Sequence, residues 1–175
     1  MRTTGVLFAA VALAGCAMAG GGAGGGATAT ARLRDARGQP AGTATFTEQA
    51  GRVRLLVQAT GLAPGKHGIH IHAVGRCDPP DFASAGGHFN PLGRKHGLEA
   101  PDGAHAGDLP ALTADAGGAA RYEATTDRIT LAEGRTSLFD ADGSALVIHE
   151  KDDDQRTDPT GNSGGRVACG VIERA

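Results

Sequence analysis

From Thr28 onward the chain consists of short segments in which polar and apolar residues alternate, separated by clusters of glycine, proline and polar residues. Such alternation places apolar side chains on one face of a β-strand. No stretch of this region sustains a helical period over three turns. The segments that predict strands are 29–34, 43–48, 52–59, 68–74, 119–126, 144–149 and 165–172. About eight strands with turn signals between them indicate an all-β sandwich or barrel.

The composition limits both the core and the partners of this fold. Aromatic residues make up only 3% of the 175 residues and tryptophan is absent, so the core must rest on valine, leucine, isoleucine and alanine. The formal charge is −2, and without Arg2 of the N-terminal leader it is −3, from 16 basic and 19 acidic residues. Because no basic stripe is present to neutralise phosphates, we expect no binding to nucleic acid.

The first residues indicate an export signal rather than a part of the fold. Arg2 is the charged start, and residues 6–14 form an apolar run that is too short to span a bilayer as a helix. The tetrad Leu13-Ala14-Gly15-Cys16 resembles a bacterial lipobox, in which the cysteine is acylated and becomes the first mature residue. We therefore predict a signal peptide at 1–15 and a lipid anchor on Cys16 that holds the protein to a membrane of the bacterial cell envelope, in the periplasm.

The alternative is ordinary secretion with cleavage after Ala17-Met18-Ala19, which would leave a soluble periplasmic or secreted protein. Residues 20–26 are almost pure glycine and predict a flexible tether. The predicted organisation is a signal peptide, a Gly-rich tether at 16–27 and one domain at 28–175.

The other two cysteines, Cys77 and Cys169, form a natural pair. An exported protein folds where disulfides persist. A disulfide that closes a loop of roughly ninety residues stabilises a fold by about 4–5 kcal/mol in the chain-entropy model. The alternative is that the two thiols bind a metal.

Most of the histidines lie in an irregular, glycine- and proline-rich stretch at 75–110 or in the predicted strand just before it. Five of the seven lie from His70 to His105, and Asp108 follows three residues later. His149 stands at the end of a later apolar run. Neutral imidazole is the commonest protein ligand for copper and zinc, so this cluster predicts a metal site.

The spacing divides the candidate ligands into two groups. His70 and His72 are two apart on a predicted strand, so both project from one face and make half of a tetragonal copper site. His149 can join them only through the tertiary fold. His96, His105 and Asp108 offer two nitrogens and a carboxylate, which need one more ligand for a tetrahedral zinc site. His88, between the groups, could serve either metal, or both if its ring were an imidazolate.

Six segments together resemble the copper/zinc superoxide dismutase family. Residues 65–77 look like its copper-ligand signature, and 84–91 with 94–97 are similar to its bridging and zinc-ligand segment. The others, in order, are 105–108, 147–151 and 161–170. The resemblance covers roughly residues 42–172, and it implies an eight-stranded antiparallel Greek-key sandwich or barrel with long metal-binding loops.

The resemblance also implies one copper and one zinc per chain. The implied copper ligands are His70, His72, His88 and His149. The implied zinc ligands are His88, His96, His105 and Asp108, which makes His88 an imidazolate bridge.

Further positions match residues with other roles in the family. Arg166 falls on the active-site arginine, and Asp153 on the carboxylate that links ligands of the two metals. Cys77 and Cys169 fall on the family's disulfide. His67 has no metal role in the pattern, and we expect it to form hydrogen bonds within its loop.

The implied activity is dismutation of superoxide anion to oxygen and hydrogen peroxide, with His88 and Arg166 as catalytic residues, in an enzyme that protects the cell envelope. The alternative is a non-enzymatic copper-binding or copper-delivery protein of the envelope on the same fold. Such a protein would be expected to lack a ligand or the arginine, and neither is missing here.

Three departures from the family pattern limit what the resemblance implies. Residues 78–82 are an insertion, and the segment 154–160 lacks most charges of the family's guiding loop, so no steering residue beyond Arg166 is carried over. The C-terminal residues 170–175 place charges where many members form an apolar dimer contact. The sequence therefore makes dimerisation doubtful, with a homodimer possible and a monomer not excluded.

Overall fold

The computed structural model describes residue 1 and residues 26–175. The predicted signal peptide, the acylation at Cys16 and most of the tether lie outside the described residues. The described chain forms nine strands, β1 Thr28–Asp35, β2 Pro40–Gln49, β3 Arg52–Ala59, β4 Gly65–His67, β5 Ile69–His72, β6 Leu112–Ala114, β7 Ala120–Thr126, β8 Ala145–His149 and β9 Arg166–Arg174, with a single-turn 3-10 helix at Ala83–Ala85. No helix in this part of the chain is long and apolar enough to cross a bilayer.

Seven of the strands form one antiparallel sheet in the order β5-β8-β9-β1-β2-β3-β7, and β4 pairs with β6 beside it. The prediction of an all-β antiparallel fold is therefore confirmed. The described residues form nine strands, against seven predicted segments and an expected total of about eight, because β4 and β6 are each three residues long and too short to show a period. The strand predicted at 68–74 is shorter, since Ala73 donates its N–H to the carbonyl of Gly87 in the following loop.

Alternating burial explains why these segments are strands. In β3 the side chains of Val53, Leu55 and Val57 are buried, whereas Arg52 and Arg54, on the other face, are exposed. The hairpin from β2 to β3 turns at Ala50 and Gly51, with φ of 51° and 73°, as a two-residue turn of the primed type requires. Nine of the twelve largest fully buried side chains are leucine or isoleucine and three are phenylalanine, so the core is mainly aliphatic, as expected.

The long loop between β5 and β6 is tied to the sheet rather than free. A disulfide joins Cys77 in this loop to Cys169 on β9. Phe82, completely buried, packs in a small apolar cluster with residues of β8 and β9, including Val147. Isolated bridges pair loop residues with β5, His70 with Asp108 and His72 with His88. These ties bring the histidines of the loop against the outer strands β5 and β8.

Candidate metal centre

The first cluster lies where β5 and β8 pair and the long loop crosses them. Four histidines bring one ring nitrogen each to within 4.8 Å of one another, and all four are buried. Nε2 of His72 and Nε2 of His149 are 3.3 Å apart. The members of this cluster, the copper-side cluster, are His70, His72, His88 and His149.

The second cluster is formed by the long loop alone. Oδ1 of Asp108 lies 2.9 Å from Nδ1 of His88, 3.0 Å from Nδ1 of His96 and 3.4 Å from Nδ1 of His105. Oδ2 of the same carboxylate accepts backbone N–H groups of Gly97 and His105 at 2.8 and 2.9 Å. The backbone thus fixes the carboxylate so that its other oxygen faces three imidazoles. We call this set, His88, His96, His105 and Asp108, the zinc-side cluster.

His88 belongs to both clusters, with one ring nitrogen in each. Its Nδ1 faces Asp108, whereas its Nε2 is buried and has no hydrogen-bond partner among the described residues. The same is true of Nδ1 of His70. A buried polar atom without a partner is costly, and an electron pair on an imidazole nitrogen is satisfied by a metal ion.

Asp153, in the loop after β8, connects the two clusters. Its Oδ2 lies 2.5 Å from Nε2 of His70, and its Oδ1 lies 3.0 Å from Nε2 of His96. Both rings therefore use Nε2 for the carboxylate and turn Nδ1 toward their clusters. A carboxylate in this position orients a ligand ring and selects its tautomer.

Three of the copper-side rings, those of His72, His88 and His149, are neutral at pH 7. Burial lowers the pKa of His72 well below its ordinary value. Burial lowers the pKa of His88 to about 4, although its hydrogen bond to Asp108 acts in the opposite direction. Burial, together with the nearby His70, lowers the pKa of His149 to about 3. Each neutral ring keeps one free electron pair for a cation.

The zinc-side cluster combines negative charge with a protonated ring. Burial opposes the charged form of His96, but hydrogen bonds to Asp108 and Asp153 outweigh it and raise the pKa of His96 to about 9. Burial would raise the pKa of Asp108, but hydrogen bonds from His105, His88 and His96 outweigh it and lower that pKa. A cation that binds at Nδ1 of His96 therefore releases a proton.

Arg166 begins β9 and is half-buried beside the copper-side cluster. Its guanidinium donates to the carbonyl oxygens of Phe82 at 2.5 Å and Gly86 at 2.6 Å. It lines an open depression of about 520 Å³, whose other walls are mainly glycines of the loop and of the segment before β9. Asp81 also lines the depression, so its wall carries one charge of each sign, and Arg166 supplies the positive one.

The remaining predicted residues take the positions that their expected roles need. The disulfide between Cys77 and Cys169 is present, with Cα atoms 5.6 Å apart, so the alternative of thiol ligands is wrong. His67 lies outside both clusters, and its two ring nitrogens face the carbonyl oxygens of His149 and Ala63 at 2.7 and 2.8 Å.

Two contacts at the site have no counterpart in the sequence reasoning. The carbonyl of Gly86 accepts from Arg166 and also from Nδ1 of His72. Asp158 accepts the backbone N–H of His96. Backbone acceptors carry no side-chain signal, and Asp158 stands in a segment that resembles the family least.

Comparison with known proteins decides the family. A family model described as copper/zinc superoxide dismutase (SODC) matches residues 40–172. The chain belongs to the copper/zinc superoxide dismutase family. It is 45% identical over 139 residues to the Cu-Zn superoxide dismutase 1 of Aquifex aeolicus, covering 78% of this chain and 82% of that protein. With the Cu-Zn superoxide dismutase of Caulobacter vibrioides it shares 45% identity over 149 residues, or 83% and 86% of the two chains.

Solved structures agree with the superoxide dismutase fold. The crystal structure of a double mutant of a SOD-like protein from Bacillus subtilis superposes with a TM-score of 0.79, at 41% identity, over 81% of this chain and 95% of that one. The predicted family, the oxidoreductase class, superoxide as substrate and copper and zinc as cofactors are thereby confirmed. The disulfide fits a superoxide dismutase that folds outside the reducing cytoplasm.

The donor sets fit the two metals of the superoxide dismutases. Four imidazole nitrogens suit copper, and three imidazoles with one carboxylate suit zinc. Nδ1 of His70 and Nε2 of His88, which lack a hydrogen-bond partner within residues 26–175, both lie in the copper-side cluster, where a bound cation would satisfy them.

Proposed function

We propose that this superoxide dismutase binds copper through the four histidines of the copper-side cluster. The observation that carries the proposal is a pair of buried nitrogens, Nδ1 of His70 and Nε2 of His88, that have no hydrogen-bond partner in the described part of the chain. They lie within 4.8 Å of the nitrogens of His72 and His149, so one cation would satisfy all four. His72 and His149 are neutral at pH 7, so each can bind copper without losing a proton.

Zinc would be held by the zinc-side cluster, with His88 shared between the metals as an imidazolate. The two nitrogens of that ring point to different clusters, which supports the shared role. Asp108 supplies a negative charge next to three imidazoles, and a closed set of four ligands is typical of zinc held for structure and orientation.

The overall reaction consumes two superoxide anions and two protons and yields one oxygen and one hydrogen peroxide. The chemistry supplied by copper, when bound, is one-electron transfer in both directions. Nε2 of His88 is the nitrogen placed to hold and pass a proton on the copper side, because its Nδ1 faces Asp108. A positioned imidazole is the commonest proton-transfer group in enzymes.

Arg166 would bind and orient the anion. Two carbonyl oxygens hold its guanidinium at the wall of the depression, and a charge-assisted hydrogen bond to superoxide needs only its remaining N–H groups. The glycine-lined wall leaves room for a diatomic anion. The chain as a whole is acidic, so this local positive charge acts against an unfavourable net field.

Metal content measured together with activity tests this proposal. We expect one copper and one zinc per chain, with superoxide consumption that is lost on chelation and restored by adding copper back. Zinc alone, or copper without turnover, would contradict it and favour the copper-binding or copper-delivery alternative.

We also propose that the enzyme protects the cell envelope, anchored through an acylated Cys16 at the head of the tether 16–27, with the domain 28–175 outside the cytoplasm. The lipobox-like tetrad and the disulfide support this location. The mass of the mature N-terminus tests it. Acylation predicts a lipid mass on Cys16 and membrane partitioning, whereas a free amine at Gly20 would favour a soluble protein.

A further inference from the structure

Asp158 lies in the segment between β8 and β9 and contacts the loop that carries the zinc-side cluster. Its Oδ1 accepts the backbone N–H of His96 at 2.8 Å and lies 3.7 Å from Nε2 of His105. Its Oδ2 lies 3.3 Å from Nζ of Lys95. One carboxylate therefore reaches two members of the cluster from outside it.

The contact with His105 is on the side of the ring that faces away from the cluster, whereas the contact with His96 is to its backbone. His96 and His105 turn Nδ1 toward Asp108, and their Nε2 atoms point outward. Nε2 of His96 is held by Asp153 at 3.0 Å. Nε2 of His105 lies 3.7 Å from Oδ1 of Asp158, too far for a direct hydrogen bond, so the carboxylate acts on this ring through its charge. Each of the two rings thus has an outer carboxylate of its own.

We propose that Asp158 is a positioning residue of the zinc-side cluster, which orients the ring of His105 and fixes the backbone at His96. This rests on the proposed zinc ligands. A carboxylate beside the outer nitrogen favours the tautomer with a proton on Nε2, which leaves the electron pair of Nδ1 facing Asp108. The bond to the backbone of His96 places the second ring in the same geometry.

Three variants separate positioning from a simple tie between loops. Asp158→Asn keeps an acceptor for the N–H of His96 but removes the charge beside His105. Asp158→Ala removes both. Lys95→Gln is the matched control, because it removes only the exposed ion pair between Lys95 and Asp158.

We would measure zinc affinity by competition with a chromophoric chelator and record the visible absorption of Co²⁺ bound in place of zinc. Loss of an outer partner of a metal-bound histidine typically weakens metal binding by about 10–100-fold. We expect a loss in that range for Asp158→Ala, a smaller one for Asp158→Asn, and altered cobalt bands in both. Lys95→Gln should match the wild type in affinity and spectrum.

An affinity and cobalt spectrum unchanged in Asp158→Ala would overturn the positioning role while leaving the zinc site in place. An equal loss in Lys95→Gln would overturn it too, by assigning the effect to the ion pair. Failure of the wild type to bind zinc would instead contradict the proposed ligand set, and the role of Asp158 with it. If Asp158→Ala does not fold, the comparison of Asp158→Asn with Lys95→Gln decides alone.

Discussion

Arg166 and His72 donate to one acceptor, the carbonyl oxygen of Gly86, over 2.6 and 2.9 Å. A carbonyl can only accept, so Nδ1 of His72 carries the proton and Nε2 keeps its electron pair, facing His149. The same backbone oxygen therefore sets a ring of the copper-side cluster and the guanidinium beside it. The peptide group of Gly86 therefore fixes the position of the Arg166 guanidinium relative to the ring of His72.

Replacing Arg166 with alanine should lower the second-order rate constant for superoxide by about tenfold or more and flatten its dependence on ionic strength, because a steering charge is lost. Arg166→Lys should keep much of the salt dependence but recover the rate only in part, since an ammonium cannot hold two carbonyls and the anion in one planar fork. Pulse radiolysis at several salt concentrations measures both.

Arg135→Ala is the control for this change in net charge, because Arg135 is exposed and donates only to the carbonyl of Pro91. We expect its rate and salt slope to stay close to those of the wild type. A wild-type rate and slope in Arg166→Ala would remove Arg166 from the mechanism.

Asp153→Asn should weaken both metal sites, because one carboxylate orients a ring in each. An amide accepts less strongly than a carboxylate and carries no charge, so the tautomers of His70 and His96 lose their restraint. We expect zinc affinity to fall by about 10–100-fold and copper affinity to fall as well. Competition titrations with chelators for each metal give the two values.

The neighbouring Asp152 offers a matched control. It is exposed, lies 3.7 Å from Lys66, and accepts the backbone N–H of Asp153 through Oδ1, an acceptor that asparagine keeps. Asp152→Asn makes the same chemical change and should leave both affinities unaltered. If the two variants behaved alike, the effect would belong to net charge rather than to the link between the sites.

The site shows which parts of a structure a sequence can predict. His70 and His72 could be grouped because the alternation of a strand is regular. The places of His88, His96 and His105 depended on motifs, since a loop has no period. The shared carbonyl of Gly86 and the contact of Asp158 with His96 depend on the path of the loop backbone, which only the folded chain defines. The strands β4 and β6 were not predicted, because three residues are too few to show an alternation of polar and apolar side chains.

Gly161→Ala should destabilise the fold more than a turn glycine does elsewhere. Gly161 has φ of 62°, and an added Cβ would lie 2.6 Å from Nε2 of His96 and closer still to the carboxylate of Asp153. The left-handed conformation costs about 1–2 kcal/mol for alanine. Overpacking against the buried pair adds about 1–3 kcal/mol. Denaturant unfolding of the metal-free chain measures the sum.

Gly38→Ala isolates the conformational part of that loss. Gly38 has φ of 75°, and no atom of the residues that the structure describes lies within 4 Å of an added Cβ. For Gly38→Ala we expect only the cost of the left-handed conformation, about 1–2 kcal/mol, and wild-type zinc affinity. Gly161→Ala should also lose zinc affinity, because His96 and Asp153 must shift. Equal free energies of unfolding in the two variants would show that the segment around Gly161 shifts to accommodate the added methyl group without strain.

Removing the disulfide should loosen the long loop and the histidines it carries. Cys77 and Cys169 are 92 residues apart, and in the chain-entropy model a closed loop of this size is worth about 4–5 kcal/mol. The double change Cys77→Ala with Cys169→Ala should lower the free energy of unfolding by about that amount. Denaturant unfolding without metals measures it, and wild-type protein unfolded with reductant should match the variant.

The disulfide variant also separates stability from the geometry of the copper-side cluster. His88 and the carbonyl of Gly86 are on the loop that the disulfide ties down, whereas His70, His72 and His149 are on strands β5 and β8. Copper affinity should therefore fall even where the barrel is fully folded, and the rate should drop further because Arg166 shares that carbonyl. Unchanged copper affinity would mean that the packing of Phe82 and the bridge between His72 and His88 hold the loop without the covalent tie.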